Sequence, residues 1–266
     1  MPPVRVVKAH AYGNDFLCVP AGDAATELPA LARALCHRHR GIGADGLLVY
    51  TVRERGATMT LLNADGSRSE LSGNGVRCLA ALVARTEDLP PGVTVTIETT
   101  AGPKTLALLA REGQRFTFRT AMGQPTNLRQ ATIAVLGERV IASVLEVGNP
   151  QCVVLGPLPD PDRFDRFGPA LATHPMFPAG TNVEFAEVQT PDRVGILIWE
   201  RGVGPTTSSG TGSVAAAVAA AAHGGANRSV DVVAPGGGQR VEWVEDGVYL
   251  TGWAEVVLEG IWTGGR

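Results

Sequence analysis

Hydrophobic residues recur along this chain with two spacings, a helical one in a few segments and a strict alternation in many shorter ones. In residues 28–39 and 164–172, apolar residues stand three and four positions apart, which predicts two amphipathic helices. Residues 75–86 and 211–222 are dominated by alanine, valine and leucine and predict two further helices. Each of these last two begins at a glycine-rich turn.

Apolar and polar residues alternate over much of the remaining chain, and each alternating run predicts a short strand. The strands predicted in the first half are Val4–Val7, Leu47–Tyr50, Thr58–Leu62, Val93–Glu98, Leu106–Leu109 and Phe116–Arg119. Those predicted in the second half are Val140–Val147, Val183–Val188, Val194–Trp199, Val230–Val233, Val241–Val244, Val248–Thr251 and Glu255–Leu258. In each half the strands accompany one long helix, so the sequence predicts two α+β halves.

The two glycine-rich turns are near-copies of each other. Ser-Gly-Asn-Gly at residues 72–75 precedes GVRCLAALVA, and Ser-Gly-Thr-Gly at residues 209–212 precedes SVAAAVAAAA. A helix N-terminus carries free N–H groups and the positive end of the helix dipole, so it binds anions such as carboxylates. If both turns face one cleft, Ser72 and Ser209 approach a bound acid from opposite sides. A racemase or an epimerase needs that geometry, because it moves protons on both faces of one carbon.

Both serines also have a purely structural interpretation. Serine is among the best N-cap residues, so a Ser-Gly-x-Gly turn needs no catalytic role. Neither turn continues into the Gly-Lys-Ser/Thr ending of a phosphate loop, and the dinucleotide pattern G-x-G-x-x-G is absent after both. The sequence therefore gives no sign of a nucleotide cofactor.

Asparagines and one charged pair stand at the ends of predicted strands and in turns. Asn and Gly both tolerate left-handed backbone, so a Gly-Asn pair alone is ordinary turn chemistry. Five such positions beside two carboxylate-binding turns favour substrate contacts, since a carboxamide both donates and accepts hydrogen bonds. These asparagines are Asn14, Asn63, Asn74, Asn149 and Asn182. Glu200-Arg201 precedes the second turn, and we expect a partly buried pair whose arginine binds a carboxylate.

Composition excludes several classes of function. The chain has 266 residues and a formal net charge of −3, which argues against a nucleic-acid binder. It contains neither the long apolar run of a membrane span nor the apolar core of a signal peptide, so we expect no membrane association and a cytoplasmic location. Its four cysteines form no Cys-x-x-Cys pair and are expected to be buried, reduced thiols.

Seven short motifs together resemble the diaminopimelate epimerase family. In chain order they are HAYGNDF, GIGADGLL, NADGS, SGNGVRC, VGNPQCVV, GTNVEF and WERGVG followed by SGTG. The resemblance implies an α+β fold of two pseudo-symmetric halves, each a mostly antiparallel sheet wrapped around a central helix. We expect the first half to span 1–116 and to be joined by the last strand at about 255–266. The second half would span 117–254, with the active site in the cleft between the halves.

The resemblance also implies a reaction and a set of site residues. The family inverts an amino-acid α-carbon on the route to lysine and peptidoglycan precursors, without pyridoxal phosphate or a metal, by using two thiols. The positions of those thiols are occupied here by Ser72 and Ser209, which are the expected catalytic residues. The expected substrate-binding residues are Asn14, Asn63, Gly73, Asn74, Asn149, Asn182, Glu200, Arg201, Gly210 and Thr211. The partner is a small amino-acid substrate, and a homodimer is left open.

The two serines leave three functions open. A thiol is readily tuned to a thiolate at a helix N-terminus, whereas an alkoxide is far harder to form. The family also usually has histidine where this chain has Gln151. The chain is therefore an epimerase of the diaminopimelate type, an isomerase or dehydratase of the same fold on another amino acid, or an amino-acid-binding paralogue without catalysis. The serines are either native or the result of replacing both thiols.

Overall fold

The computed structural model describes residues 3–24, 27–69 and 72–264. These residues form two compact units. Unit 1 contains the described residues up to Thr120 and those from Gly252 onward, and unit 2 is Ala121–Thr251.

Unit 1 is built from strands around one long buried helix. Its strands are β1 (Val4–Ala11), β2 (Asn14–Pro20), β3 (Gly46–Arg53), β4 (Gly56–Asn63), β5 (Arg68–Ser69), β6 (Thr94–Thr99), β7 (Gly102–Glu112) and β8 (Arg115–Gly123), the last of which runs past Thr120 into unit 2. Its helices are α1 (Leu28–Cys36) and α2 (Gly73–Thr86).

Helix α2 forms the centre of the larger core of unit 1. Every residue from Asn74 to Ala84 is buried, and Leu79 and Leu82 pack among apolar side chains of the surrounding strands. The strands pair mostly in antiparallel fashion, with parallel pairs between β2 and β3 and between β4 and β6. Burial of a helix on nearly all sides explains why its sequence is so rich in small and aliphatic residues.

Unit 2 repeats this plan. Its strands are β9 (Thr126–Val135), β10 (Glu138–Glu146), β11 (Pro150–Leu155), β12 (Asn182–Thr190), β13 (Arg193–Glu200), β14 (Gly204–Thr206), β15 (Ser229–Ala234), β16 (Gly237–Val244) and the first residues of β17 (Gly247–Trp262). Its helices are α3 (Pro161–Ala172) and α4 (Gly210–Ala219), and a short π-helical segment, Ala220–Gly224, follows α4.

The two units share one order of strand pairings. In unit 1, β2 pairs with β3 in parallel, β3 with β4 antiparallel, and β4 with β6 in parallel. In unit 2 the corresponding pairs are β11 with β12, β12 with β13, and β13 with β15, in the same three orientations. Each unit places its central helix between the last two strands of this series along the chain. The α+β fold class expected from the sequence is confirmed.

Strands β2, β5, β11 and β14 were not predicted from the sequence, and three further elements also differ from the expectation. Strand β9 (Thr126–Val135) was not predicted, because most of its residues are exposed and its apolar alternation is confined to the last residues, from Ala131 to Val135. The two strands expected at Val248–Thr251 and Glu255–Leu258 are one continuous strand, β17. The helix expected to reach residue 222 is α-helical only to Ala219, where the hydrogen-bond pattern widens.

The helices of the molecule are short. Among the residues that the structure describes, the longest helix is α2 with 14 residues. No helix in those ranges is long and apolar enough to cross a membrane.

Candidate functional site at the N-termini of the two central helices

Ser72 caps the N-terminus of α2 in unit 1. Its backbone is extended, with φ −132° and ψ 119°, and its hydroxyl oxygen accepts a hydrogen bond from the Gly75 N–H at 3.1 Å. The N–H groups of the preceding first-turn residues, Gly73 and Asn74, have no partner within a helix. They lie at the positive end of the helix dipole and can therefore bind a carboxylate.

Ser209 caps α4 in unit 2 with nearly the same geometry. Its φ is −141° and its ψ is 128°, and its hydroxyl oxygen accepts a hydrogen bond from the Gly212 N–H at 3.2 Å. Ser209 is buried, whereas Ser72 is half-buried. The N–H groups of Gly210 and Thr211 are the equivalents of those at the start of α2. The expected helix N-termini are thus present at both serines, each within its own unit.

A chain of hydrogen bonds fixes the amide side chains beside Ser72. The buried guanidinium of Arg77 donates to Asn74 Oδ1 at 3.2 Å, so the other end of that amide donates to Asn14 Oδ1, also at 3.2 Å. Asn14 Nδ2 in turn donates to Asp45 Oδ2 at 2.7 Å. Because each acceptor determines the orientation of the next amide, both asparagines are held in one orientation.

The far end of this chain is anchored by charged groups. Arg38 bonds to both Asp15 and Asp45, and Lys8 Nζ lies 2.8 Å from Asp15 Oδ2. Burial alone would raise the pKa of Asp15, but hydrogen bonds from Arg38 and Lys8 outweigh it and lower that pKa below its ordinary value. Asp15 is therefore ionised over the physiological range, and the cluster fixes the start of β2, where Asn14 lies.

In unit 2, alternation along three adjacent strands gathers polar side chains under the start of α4. Gln151 on β11 stands opposite Asn182 on β12, and both are buried. Glu200, at the end of β13, is half-buried. Val153 lies two residues after Gln151 on β11, and Ile198 lies two residues before Glu200 on β13. Both belong to the apolar core around α4. The polar side chains therefore occupy the end of the face that the helix covers.

Glu184 lies deeper on the same face and is the least expected residue of the site. It is fully buried, in register with Val153 and Ile198 of the neighbouring strands. A Cβ added at Gly212 would lie 2.7 Å from its Oε1, which places the carboxyl directly beneath the first turn of α4. Burial, and next to it the nearby Glu200 carboxyl, raises the pKa of Glu184 well above its ordinary value.

Gln151 connects Glu184 to the turn. In the amide orientation that satisfies its neighbours, its nitrogen donates to Glu184 Oε1 at 3.0 Å and its oxygen accepts from Thr211 Oγ1 at 3.3 Å. Its amide also lies 2.6 Å from that of Asn149. One buried amide thus joins β12, the loop before β11 and the start of α4.

Glu200 and Arg201 do not form the partly buried pair that the sequence suggested. The Ser209 hydroxyl hydrogen-bonds to the Glu200 carboxyl, and burial raises the pKa of that carboxyl despite this bond. Arg201 is exposed, its N–H donates to Asn182 Oδ1 at 2.9 Å, and its guanidinium donates to Ala179 O at 2.9 Å. Of the two residues, Glu200 is the one partly buried, because it ends β13 whereas Arg201 is the first residue after the strand.

Within each unit the structure brings most of the predicted residues together. Asn63 lies apart: it is exposed, and the contact of its amide within the described ranges is with Ser67, to whose Oγ it donates at 2.9 Å. Sequence reasoning missed Arg77 and Glu184. The signal available for Glu184 was a charged residue inside the apolar strand run NVEF, and for Arg77 a charge inside the apolar helix that follows the first turn.

Gly212→Ala is expected to lower the free energy of unfolding by about 1–3 kcal/mol, because the new methyl group overlaps the Glu184 carboxyl. Gly73→Ala is the matched control, since nothing lies within 4 Å of a Cβ added there, and it should change stability by less than about 0.5 kcal/mol. Urea unfolding of both variants measures the difference. Equal effects would contradict the close approach of α4 to Glu184.

The raised pKa of Glu184 predicts a pH dependence of stability. The unfolded chain ionises this group near its ordinary pKa of 4.5, while the folded protein keeps the proton to higher pH. The folded state then binds more protons, so stability falls as pH rises above that value, with a slope approaching about 1.4 kcal/mol per pH unit. Glu184→Gln removes this term. Its unfolding free energy relative to wild type should therefore increase with pH, and a constant difference would contradict burial of a neutral acid.

Comparison with known proteins places these features in one family. The family model described as diaminopimelate epimerase matches residues 6–128 and 143–257. A diaminopimelate epimerase of Desulforudis audaxviator is 42% identical over 278 residues, covering 97% of this chain and 99% of the relative. That of Synechocystis is 36% identical over 274 residues, covering 95% and 96%.

Solved structures share the fold at much lower sequence identity. A phenazine biosynthesis protein of Bacillus anthracis superposes with a TM-score of 0.72 at 15% identity, covering 98% of this chain and 99% of that one. A hydroxyproline epimerase of Agrobacterium vitis gives 0.67 at 17% identity, covering 98% and 91%. Because the family model spans most of the sequence and the relatives match over nearly their whole length, the chain belongs to the diaminopimelate epimerase family.

Proposed function

We propose that this protein is an amino-acid epimerase that acts on diaminopimelate or a closely similar amino acid. The observation that carries the proposal is the repeated serine-capped helix start, present once in each unit with polar side chains held against it. Both relatives named above are diaminopimelate epimerases over nearly the same length as this chain. The proposal places the activity in the synthesis of lysine and of peptidoglycan precursors.

The first turns of α2 and α4 bind the substrate's α-carboxylate. N–H groups at the start of a helix hold an anion without any cationic side chain. Gly73 and Asn74 supply them in unit 1, and Gly210 and Thr211 in unit 2. Negative charge that develops as the α-proton leaves is stabilised by the same fixed dipoles. Arg201 is exposed at the end of β13 and suits the substrate's second carboxylate.

Proton transfer in unit 2 uses the hydrogen bond between Ser209 and Glu200. The serine oxygen takes the α-proton as its own hydroxyl proton passes to the ionised glutamate, and the C–H electron pair remains on the substrate. Inversion also needs a proton donor, and the proposal assigns this role to Ser72, which regains its proton from water. The hydroxide so formed takes the proton held by Glu200, and both serines and the carboxylate return to their starting states. An unassisted hydroxyl is a poorer acid and base than a thiol, so turnover is expected to be slow.

A second candidate is an isomerase that needs a proton shuttle on one face only. The difference between the two serines favours it: the Ser209 hydroxyl contacts a carboxyl, whereas the Ser72 contact given by the described residues is the Gly75 N–H. A third candidate, an amino-acid-binding paralogue, rests on the replacement of both thiols by serine.

We also infer a cytoplasmic location. The four cysteines are free and buried, which is typical of proteins kept in a reducing compartment. Burial raises the pKa of the Cys18 and Cys152 thiols to about 12. Neither thiol is available as a base to replace those missing at Ser72 and Ser209.

Incubation with diaminopimelate in deuterated water tests the proposed function. An epimerase incorporates solvent deuterium at the α-carbon and interconverts the stereoisomers, which chiral chromatography with mass spectrometry resolves. A changed product without inversion would favour the isomerase. Binding by calorimetry without exchange would identify the binding paralogue and overturn the catalytic proposal.

Restoring the thiols provides the companion prediction. Ser72→Cys combined with Ser209→Cys should raise the rate of α-proton exchange by about 10²-fold or more, since thiolates form readily at these helix starts. Each single variant should gain far less, because inversion needs an acid and a base together. A folded double variant with no exchange would mean that another replaced site residue, such as Gln151, or a different substrate limits the reaction.

A further inference from the structure

The two units offer an internal comparison of what lies beneath the first turn of the central helix. In unit 1 a Cβ added at Gly75 would lie 3.4 Å from Leu48 Cδ2 and 3.4 Å from Phe16 Cε1. In unit 2 the equivalent position, Gly212, faces Glu184. Both side chains below Gly75 are buried and belong to the apolar core of unit 1.

Strand register shows that these side chains occupy equivalent positions. The parallel ladder of unit 1 begins with Phe16 opposite Gly46, and Leu48 stands two positions further along β3. The parallel ladder of unit 2 begins with Gln151 opposite Asn182. Glu184 stands two positions further along β12. Gln151 therefore corresponds to Phe16, and Glu184 to Leu48.

The fold does not require a polar pair at these positions, because unit 1 is built with an apolar one. A buried carboxyl and amide destabilise a core relative to well-packed apolar residues of similar size. Glu184 and Gln151 are both wholly buried. They lie under the helix start at which, among the described residues, the serine contacts a carboxyl, and this indicates a role in that chemistry.

The groups that face Glu184 include no cation among the described residues. From β11 it meets Gln151 and Val153, and from β13 Ile198 and the Glu200 carboxyl. Helix α4 (Gly210–Ala219) has no charged side chain. The thiol of Cys152, on the opposite face of the sheet, is held neutral by its own burial. Two carboxyls so placed cannot both ionise at low energetic cost.

We propose that Glu184 is a positioning residue that keeps its own proton, leaves Glu200 as the single carboxylate at the start of α4, and holds the Gln151 amide against Thr211. This inference rests on the proposed function. The neutral Glu184 carboxyl accepts the Gln151 N–H and excludes water from beneath the turn. Glu200, half-buried and bonded to Ser209, is then the group that exchanges protons with the serine hydroxyl.

Three variants distinguish a positioning role of Glu184 from a purely structural one. Two replace Glu184, and the third replaces Glu187, another glutamate on β12. Glu184→Gln stays neutral and keeps the hydrogen bond, so its kcat for deuterium exchange on diaminopimelate should remain within about threefold of wild type. Glu184→Leu copies the unit 1 residue and should fold, yet lower kcat at least about tenfold with KM nearly unchanged. Glu187→Leu, the same chemical change at a half-buried carboxyl of this strand, should leave kcat unaltered.

Either of two kinetic results would overturn the proposal. Wild-type kcat in Glu184→Leu would show that the carboxyl does nothing for the reaction. A loss in Glu184→Gln as large as in Glu184→Leu would show that the ionised form is required. Thermal unfolding of each variant checks that the compared proteins are folded.

A spectroscopic measurement tests the protonation state of Glu184 without relying on activity. If the protein shows no exchange at all, the proposed function is overturned, but this measurement still decides whether Glu184 keeps its proton. Carbon-13 labelling of glutamate carboxyls allows each to be followed by NMR between about pH 5 and pH 7. The signal that Glu184→Gln removes should keep the chemical shift of a protonated acid throughout this range. An ionised Glu184 at about pH 7 would contradict the proposal directly.

Discussion

The site of each unit depends on one constraint, the close packing of a serine-capped helix against its sheet. The cap holds the first turn in place, and a glycine three residues later lets the helix approach the strands below it. At Gly75 the strand side chains lie at ordinary contact distance, whereas at Gly212 a carboxyl oxygen lies closer than any Cβ would allow. The N–H groups that remain free at each turn then point to the same kind of ligand, an anion.

The repeated scaffold carries two different chemistries. Unit 1 fixes its polar groups laterally, through the chain from Arg77 to Asn74, Asn14 and Asp45, while the residues beneath its helix are apolar. In unit 2 the polar groups at the start of α4 are held by buried amide and carboxyl side chains on the strands beneath the helix. Pseudo-symmetry of the fold is therefore compatible with unequal roles for the two serines. Among the described residues, the serine with a carboxyl beside it is Ser209 in unit 2.

Local signals in the sequence predicted what depends on a few consecutive residues. Both central helices and their caps at Ser72 and Ser209 followed from spacing and N-cap preference. The role of Glu184 could not be predicted, because a glutamate inside a strand is ordinarily on the solvent face and only the packing of α4 buries it. Strand β9 was missed since its apolar alternation is confined to its last residues, from Ala131 to Val135. Arg201 was expected to be partly buried, but it lies just beyond β13, where the chain returns to solvent.

A crystal structure of the protein with diaminopimelate bound tests the central claim most directly. The account predicts that the substrate's α-carboxylate accepts hydrogen bonds from the first-turn N–H groups of Gly73 and Asn74 or of Gly210 and Thr211, at about 2.7–3.1 Å. A ligand whose carboxylate lies away from both helix starts would contradict it.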